Sequence, residues 1–460
     1  MTAPAKEAAL SIFHVLQAGK TRYPLVIRNF ADSKSSPFSF KIMESLITQL
    51  SRQDVWDEYI AYRLLKGRFT WHEFREADRF VEKEQYLHLV QKIMQGEGLG
   101  IPTKKIVNKM GTGKKRVVYS FSPEAMRVLK VIAFKLYDYD GHFAPNCYAF
   151  RRGMKVHDAV FHLNQAVADK KMWAYKLDIH DYFNSISINI LLPMLEEMMA
   201  DDPLLFRFFQ EMLTDDRAIY NGETIHESHG VMAGTPTSPF LANVYLKEVD
   251  RFFHDAGVVY ARYSDDIILF APDLEMLKEY KRKMAEFLEQ YQLEVNPDKE
   301  KIYSPDEAYE FLGFKCHGHD IDISEATKKK MKGRIKRAAK SLLRWRNTKH
   351  IAPEKAMKGL INHFNRKFFE SDDPETLTWS RWFFPVINQT DGLKEIDHYL
   401  QQNIRYLATG KHSKANYRTD YAQLKQLGYR SLVNEYYEGK QIPPKISLNT
   451  ETQICTAKRR

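Results

Sequence analysis

The run Val258-Val259-Tyr260-Ala261-Arg262-Tyr263-Ser264-Asp265-Asp266-Ile267-Ile268-Leu269-Phe270 sets two β-prone apolar segments around one acidic pair. Val, Ile, Tyr and Phe suit a pleated, half-buried surface, whereas Asp is depleted in strands and favoured in turns. The pattern predicts a β-hairpin with Asp265 and Asp266 at its tip. Adjacent carboxylates repel, and the placement becomes favourable when a cation shares it. A lone Asp-Asp is more often a solvated turn, so the rest of the chain has to decide.

Upstream, Met172-Trp173-Ala174-Tyr175-Lys176-Leu177-Asp178-Ile179 alternates at period two. Trp173, Tyr175, Leu177 and Ile179 share one face, which leaves Asp178 on the open face near the end of a predicted strand. Between this strand and the hairpin lies His229-Gly230-Val231-Met232-Ala233-Gly234-Thr235-Pro236-Thr237-Ser238-Pro239, a turn-rich loop entering a helix. Ser238 is the expected N-cap, Leu241, Tyr245, Val249 and Phe252 the expected buried stripe, and Gly257 the stop. Further upstream, Gly111-Thr112-Gly113-Lys114-Lys115-Arg116 reads as a basic turn feeding the strand Val117–Phe121, able to present several cations to one polyanion. It lacks Walker spacing, which disfavours a P-loop ATPase. Ser122-Pro123 opens a helix, and Tyr148-Ala149-Phe150-Arg151-Arg152-Gly153 interleaves aromatics with guanidinium groups.

Downstream, a helix over 273–291 precedes Leu293-Glu294-Val295-Asn296-Pro297-Asp298-Lys299-Glu300-Lys301-Ile302, a strand-turn-strand pattern, and Glu310–Phe314 reads as one more strand. The helix after Ser324 spaces Met331, Ile335, Ala338, Leu342 and Trp345 as an apolar seam. Residues 325–346 hold ten Lys/Arg and one acid, so most of the chain's net charge of +10 sits on one element. That concentration is relieved by a polyanion, which points to the phosphate backbone of a nucleic acid. Beyond it the chain is helical and aromatic-rich, with Phe364, Phe368, Trp379, Trp382, Phe383 and Phe384 as the expected core and a second basic loop over 410–418. Residues 1–100 are mostly helical by pattern, as in Val55, Tyr59, Tyr62 and Leu65, with a loop over 31–37.

At 460 residues the chain is long enough for two or three domains. Three separated cysteines, Cys147, Cys316 and Cys455, indicate neither a disulfide framework nor a structural zinc site, and Cys316-His317-Gly318-His319 reads as an ordinary loop. No apolar run approaches the ~18 residues of a membrane span, so a cytoplasmic location is expected.

A strand-end Asp178, a hairpin-tip Asp265-Asp266 and basic loops on both sides form a candidate two-metal site, in which two Mg²⁺ clamp an in-line phosphoryl displacement. This order of blocks, from the basic turn to the Asn296-Pro297-Asp298-Lys299 turn and Phe311-Leu312-Gly313-Phe314, resembles the bacterial reverse transcriptases of the group II intron, retron and defence-associated lineage over 101–314. The resemblance implies an α+β right-hand polymerase. Its fingers and palm, with an antiparallel palm sheet, would occupy 101–322, a helical RNA-binding thumb 323–440, a helical N-terminal extension 1–100 and an extended tail 441–460. It implies Asp178 and Asp265 as direct Mg²⁺ ligands, assisted by Asp266 and the Ile179 carbonyl. Lys114 and Arg116 would hold the incoming triphosphate, and Phe183 would exclude a 2′-hydroxyl. Arg151 and Gly153 would lie near the template path, and Gly234, Ser238 and Pro239 would support the templating pair. Lys299 would protonate the leaving pyrophosphate.

The implied function is RNA-directed DNA synthesis, with dNTPs, an RNA template that is a structured noncoding RNA, and a DNA product, in antiphage defence. The oligomeric state stays open. Ala233 departs from the Gln common in such enzymes, so a contact to template or nucleotide is missing or supplied elsewhere. An untemplated or RNA-synthesising polymerase on the same palm, or a maturase-like RNA-binding protein, are the alternative readings.

Overall fold

The computed structural model describes residues 44–66, 69–108, 115–370, 378–411 and 413–441. The described residues form two compact units. One runs through Thr327 and takes in Val386–Asn388; the other comprises Lys328–Glu370, Thr378–Pro385 and the described residues from Gln389 on. Lys114, the 31–37 loop, Cys455 and the expected tail from 442 lie outside the described residues.

The first unit opens with helices Leu46–Gln49, Gln53–Leu65, Trp71–Glu82 and Leu87–Met94. Buried Asp202 ties the first of them to the Pro203–Thr214 helix. Its carboxylate accepts from Ser45 Oγ at 2.6 Å and the Leu46 N–H at 2.7 Å while capping Leu205. Val55 and Tyr59 are buried as the spacing predicts, together with Trp56 and Ile60. Leu65 is 48% exposed, because the buried stripe has run out by the helix's last turn.

Strand β1 (Thr103–Asn108) and β2 (Lys115–Ser120) form an antiparallel hairpin, and β3 (Trp173–Asp178) follows two helices, Pro123–Lys135 and Val156–Val167. Ser122 caps the first of these through the Ala125 N–H, with Pro123 in the first turn, as expected. β4 (Arg217–Tyr220) lies parallel to β1 and antiparallel to β5 (Glu223–His226), giving the order β2-β1-β4-β5.

β6 (Tyr260–Tyr263), β7 (Asp266–Ala271) and β8 (Lys301–Tyr303) join β3 in a second sheet, order β6-β7-β3-β8, with every neighbour antiparallel. Central β7 is apolar and buried at every position after Asp266, and β3 buries every residue except Trp173 and Lys176, whereas edge β8 exposes Ile302. The chain therefore has the α+β architecture with an antiparallel palm sheet that the blocks imply.

Several local expectations change. The single helix expected from Ser238 to Gly257 breaks at Leu246 into Ser238–Tyr245 and Lys247–Asp255, and the break rotates the stripe so that Phe253 is buried and Phe252 is 39% exposed. The strand expected at 293–296 is reduced to one bridge between Val295 and Ile179, because the Pro297–Lys299 turn follows at once. Glu310–Phe314 is a hairpin, not one strand. β9 (Tyr309–Phe311) turns at Leu312 and Gly313, both at positive φ, into β10 (Phe314–His317), which pairs with β11 (Asp320–Ile323).

In the second unit the basic helix Glu325–Thr348 buries Met331, Ile335 and Ala339; the 3.6-residue period moves the seam off Ala338 and leaves Trp345 39% exposed. Lys328 and Lys332 both pair with Glu395 of the Asp391–Thr409 helix, and Arg346 donates to the Leu407 carbonyl. Phe364, Phe368 and Phe383 are buried as expected, while Trp379, Trp382 and Phe384 are half-buried. No helix among the described residues is long and apolar enough to cross a membrane.

Candidate active site

Backbone pairing alone gathers the acids. Asp178 ends β3 directly opposite Asp266 on β7, and the Ile179 N–H donates to the Asp265 carbonyl at 3.1 Å. Ser264 reverses the chain at φ 63°, the left-handed geometry that two-residue hairpin loops use at their first central position. One carboxylate oxygen from each of Asp178, Asp265 and Asp266 lies within 4.8 Å of the others, a grouping of ligand atoms that stands alone among the described residues.

Asp178 was expected on an open face, yet it is only 3% exposed, because the Asn296 turn closes over it. The Asn296 N–H donates to the Asp178 carbonyl at 2.8 Å, and Asn296 Nδ2 reaches Oδ1 at 3.4 Å. Lys299, on the same turn, places Nζ 2.5 Å from Asp178 Oδ2. Burial, then the negative charge of Asp178, push the Asp265 carboxyl above the usual carboxylate range, with Lys299 and Arg116 opposing. Burial pushes Asp266 up to about 6 against nearby Lys176, and Asp265 and Asp178 add to the rise. These groups crowd negative charge that a divalent cation would relieve. Three hard carboxylate oxygens suit Mg²⁺ in preference to softer metals.

The glycine loop packs between this site and β2. The Ala233 carbonyl accepts from the Tyr119 N–H at 2.8 Å, and the Val231 N–H donates to the Phe183 carbonyl at 3.0 Å. A Cβ on Gly230, at φ +54°, would stand 2.3 Å from that same carbonyl, so only glycine permits this approach. Ser238 is not the N-cap: its Oγ donates back to the Val231 and Met232 carbonyls, both at 2.7 Å, and closes the loop on itself. The Phe183 backbone thus meets the loop at Gly230 and Val231, while a Cβ on Gly234, at φ +105°, would stand 3.0 Å from the Tyr119 carbonyl. Arg116 is exposed on β2 and near enough to influence Asp265.

Arg151 is engaged within its own loop. Its guanidinium donates to the carbonyls of Ala144, Cys147 and Asp140 at 2.8–3.0 Å, which staples its own loop.

Sequence reasoning missed the buried polar clamp beneath the hairpin. Arg262 and Asp250 are fully buried and paired, Tyr260 donates to Asp250 at 2.9 Å, and Arg262 Nη1 reaches Asn243 Oδ1 at 3.2 Å and the Ser264 carbonyl at 3.4 Å. The signal was present: an arginine inside Val-Val-Tyr-Ala-Arg-Tyr needs a buried acid. Cys316 is buried in β10, and His319 pairs with exposed Asp169 at 2.7 Å.

Residues 81–316 match the family described as reverse transcriptase (RNA-dependent DNA polymerase). Protein YkfC of Escherichia coli (strain K12) is 22% identical over 218 residues, covering 38% of this chain and 56% of that one. The Retron Mx65 reverse transcriptase of Myxococcus xanthus is 27% identical over 136 residues, covering 28% of this chain and 32% of that one. The match thus spans less than two thirds of either relative. Among solved structures, telomerase from Candida albicans with a fragment of telomeric RNA aligns at TM-score 0.41 and 12% identity, covering 96% of this chain and 93% of that one.

Proposed function

The chain belongs to the reverse transcriptase family, and on that premise we propose that it is an RNA-directed DNA polymerase that adds dNTPs to a primer 3′ end. The observation that carries this reading is the convergence of Asp178, Asp265 and Asp266 at one strand end, with oxygens within 4.8 Å. In the proposed reaction the primer 3′-hydroxyl releases its proton to water as its oxygen bonds the dNTP α-phosphorus, the α–β anhydride bond breaks, and pyrophosphate leaves.

The three carboxylates and the Ile179 carbonyl would hold two Mg²⁺, which when bound supply charge neutralisation at the attacking and leaving oxygens. Asp178 and Asp265 would be the direct ligands, with Asp266 assisting. Lys299, already beside Asp178, gives its proton to the departing pyrophosphate. Arg116 and Lys114 would hold the incoming triphosphate, and the loop of Gly234 would support the templating pair. Phe183 lies under the sugar and excludes a 2′-hydroxyl. Arg151 serves this site through its loop, by fixing the backbone that carries Phe150.

The proposal extends to partners and biology: a structured noncoding RNA as template, a cytoplasmic location and a role in antiphage defence. The likeness to a bacterial retron enzyme and the basic helix support that extension. The test is primer extension with the RNA that copurifies with the protein. DNA should form with wild type and not with Asp265→Asn; equal DNA from both would remove the reading.

A further inference from the structure

Phe150 is a bulky residue held at φ 59°, a left-handed conformation that L side chains rarely adopt without cause. The residue is 39% exposed, so the strained backbone does not achieve full burial of an apolar side chain. The backbone around it is anchored on both sides. The Ala149 carbonyl accepts from Asn243 Nδ2 at 2.7 Å, the Arg152 N–H donates to Asp140 Oδ2 at 2.6 Å, and the Tyr148 N–H donates to the Arg262 carbonyl at 2.9 Å. Asn243 also accepts from Arg262, so the strained residue and the acidic hairpin hang on the same buried group.

What this conformation achieves is the position of a ring. The Phe150 centroid lies 6.3 Å from Phe183, edge to face at 72°, and 6.3 Å from Tyr263, the residue that pairs with Asp266. The Phe183 backbone is pinned by Gly230 and Val231, but χ1 rotation would still swing its ring. Phe150 and Tyr182 are the described aromatic neighbours that oppose that swing. Edge-to-face contact fixes orientation as well as distance.

We propose that Phe150 is a positioning residue for sugar selection: strained into the left-handed region by the Asn243–Arg262 clamp, it holds the Phe183 ring at a fixed distance from the acidic hairpin. The inference rests on the reading of Phe183 as the group that excludes the 2′-hydroxyl. Phe150 itself touches no nucleotide in this scheme.

The experiment measures kcat and KM for matched dNTP and rNTP on an oligonucleotide template and primer, using the full chain. The variants are Phe183→Ala, Phe150→Ala, Phe150→Gly, Phe150→Tyr and the Phe150→Ala/Phe183→Ala double. Phe183→Ala should raise rNTP use relative to dNTP roughly 10-fold or more, the scale on which pocket shape discriminates. Phe150→Ala should raise it in the same direction through a lower KM for rNTP, Phe150→Tyr should restore selection, and the double variant should match Phe183→Ala alone.

Phe150→Gly separates fold from function, because glycine accepts φ 59° without strain. Its thermal midpoint should equal or exceed wild type while its selectivity falls as for Phe150→Ala. An unchanged ratio in both Phe150 variants beside a raised ratio in Phe183→Ala overturns the inference and leaves the Phe183 reading standing. Multiplying effects in the double variant also overturn it, since they mean independent action. An unchanged ratio in Phe183→Ala removes the Phe183 reading itself.

Discussion

At the scale of single residues, the site is three carboxylates crowded at one strand end. Asp265 sits in a half-buried position beside Asp178 and Asp266, with Lys299, Arg116 and Lys176 offsetting them. Asp265→Asn keeps the shape and removes one repulsive charge, so the variant should unfold at a higher temperature than wild type in EDTA. Added Mg²⁺ should then stabilise wild type, by about 2.7 kcal/mol at a concentration about 100 times its dissociation constant, and leave the variant unmoved. Primer extension should fall by about three orders of magnitude, the scale of several kcal/mol of lost metal positioning. Thermal melts with and without Mg²⁺ check both signs at once. Gly230 illustrates a different constraint. Its missing Cβ makes room for the Phe183 carbonyl, so Gly230→Ala combines a disfavoured φ with a backbone clash and should cost about 3 kcal/mol. Gly257→Ala, also at positive φ but facing open space, should cost only about 1 kcal/mol in the same urea titration.

At the scale of elements, buried ions decide how the hairpin is held. Asp250 lies on the Lys247–Asp255 helix and Arg262 on β6, both fully buried, so removing one partner leaves an uncompensated charge. Asp250→Ala should therefore cost about 3–5 kcal/mol, whereas the apolar pair Arg262→Met with Asp250→Leu should recover most of that stability. The recovered variant lacks the guanidinium contact to the Ser264 carbonyl, so its kcat should stay below wild type although its unfolding curve does not. That split separates holding the fold from aiming the carboxylates. The second unit uses a carboxylate in the same way. Asp397 on the Asp391–Thr409 helix accepts from Tyr429, Ser431 and the N–H groups of Leu432 and Val433 at 2.6–3.1 Å, capping the helix Leu432–Gln441 from outside. Asp397→Ala should cost about 3 kcal/mol, read as an earlier unfolding transition.

At the scale of the whole molecule, the strands, the hairpin and the acids were legible because each is written in contiguous residues: period-two alternation in β3, an Asp pair between apolar runs, a Ser-Pro at a helix start. What was not legible depends on partners distant in sequence. Asp178 looks exposed until Asn296 folds over it, Arg151 looks like an open side chain near the template path until three carbonyls of its own loop engage it, and Phe150 gives no sign of its strained φ. Charge was legible in amount and not in disposition. The basic helix carries ten cations, but Lys328 and Lys332 are engaged by Glu395 and Arg346 by a carbonyl, so local folding already uses part of the positive charge. Lys336, Arg337 and Lys340 are exposed on that helix. If they meet RNA phosphates, each contact releases a counter-ion, and replacing all three with Gln should lower the slope of log affinity against log salt by about 2, at ~0.7 per contact for a single strand. Replacing Lys328 and Lys332 should instead lower the thermal midpoint and change the salt slope little, because their charge belongs to Glu395. Filter-binding titrations with the copurifying RNA at several salt concentrations distinguish the two sets; equal slopes for all variants would mean the helix is basic for a reason other than RNA.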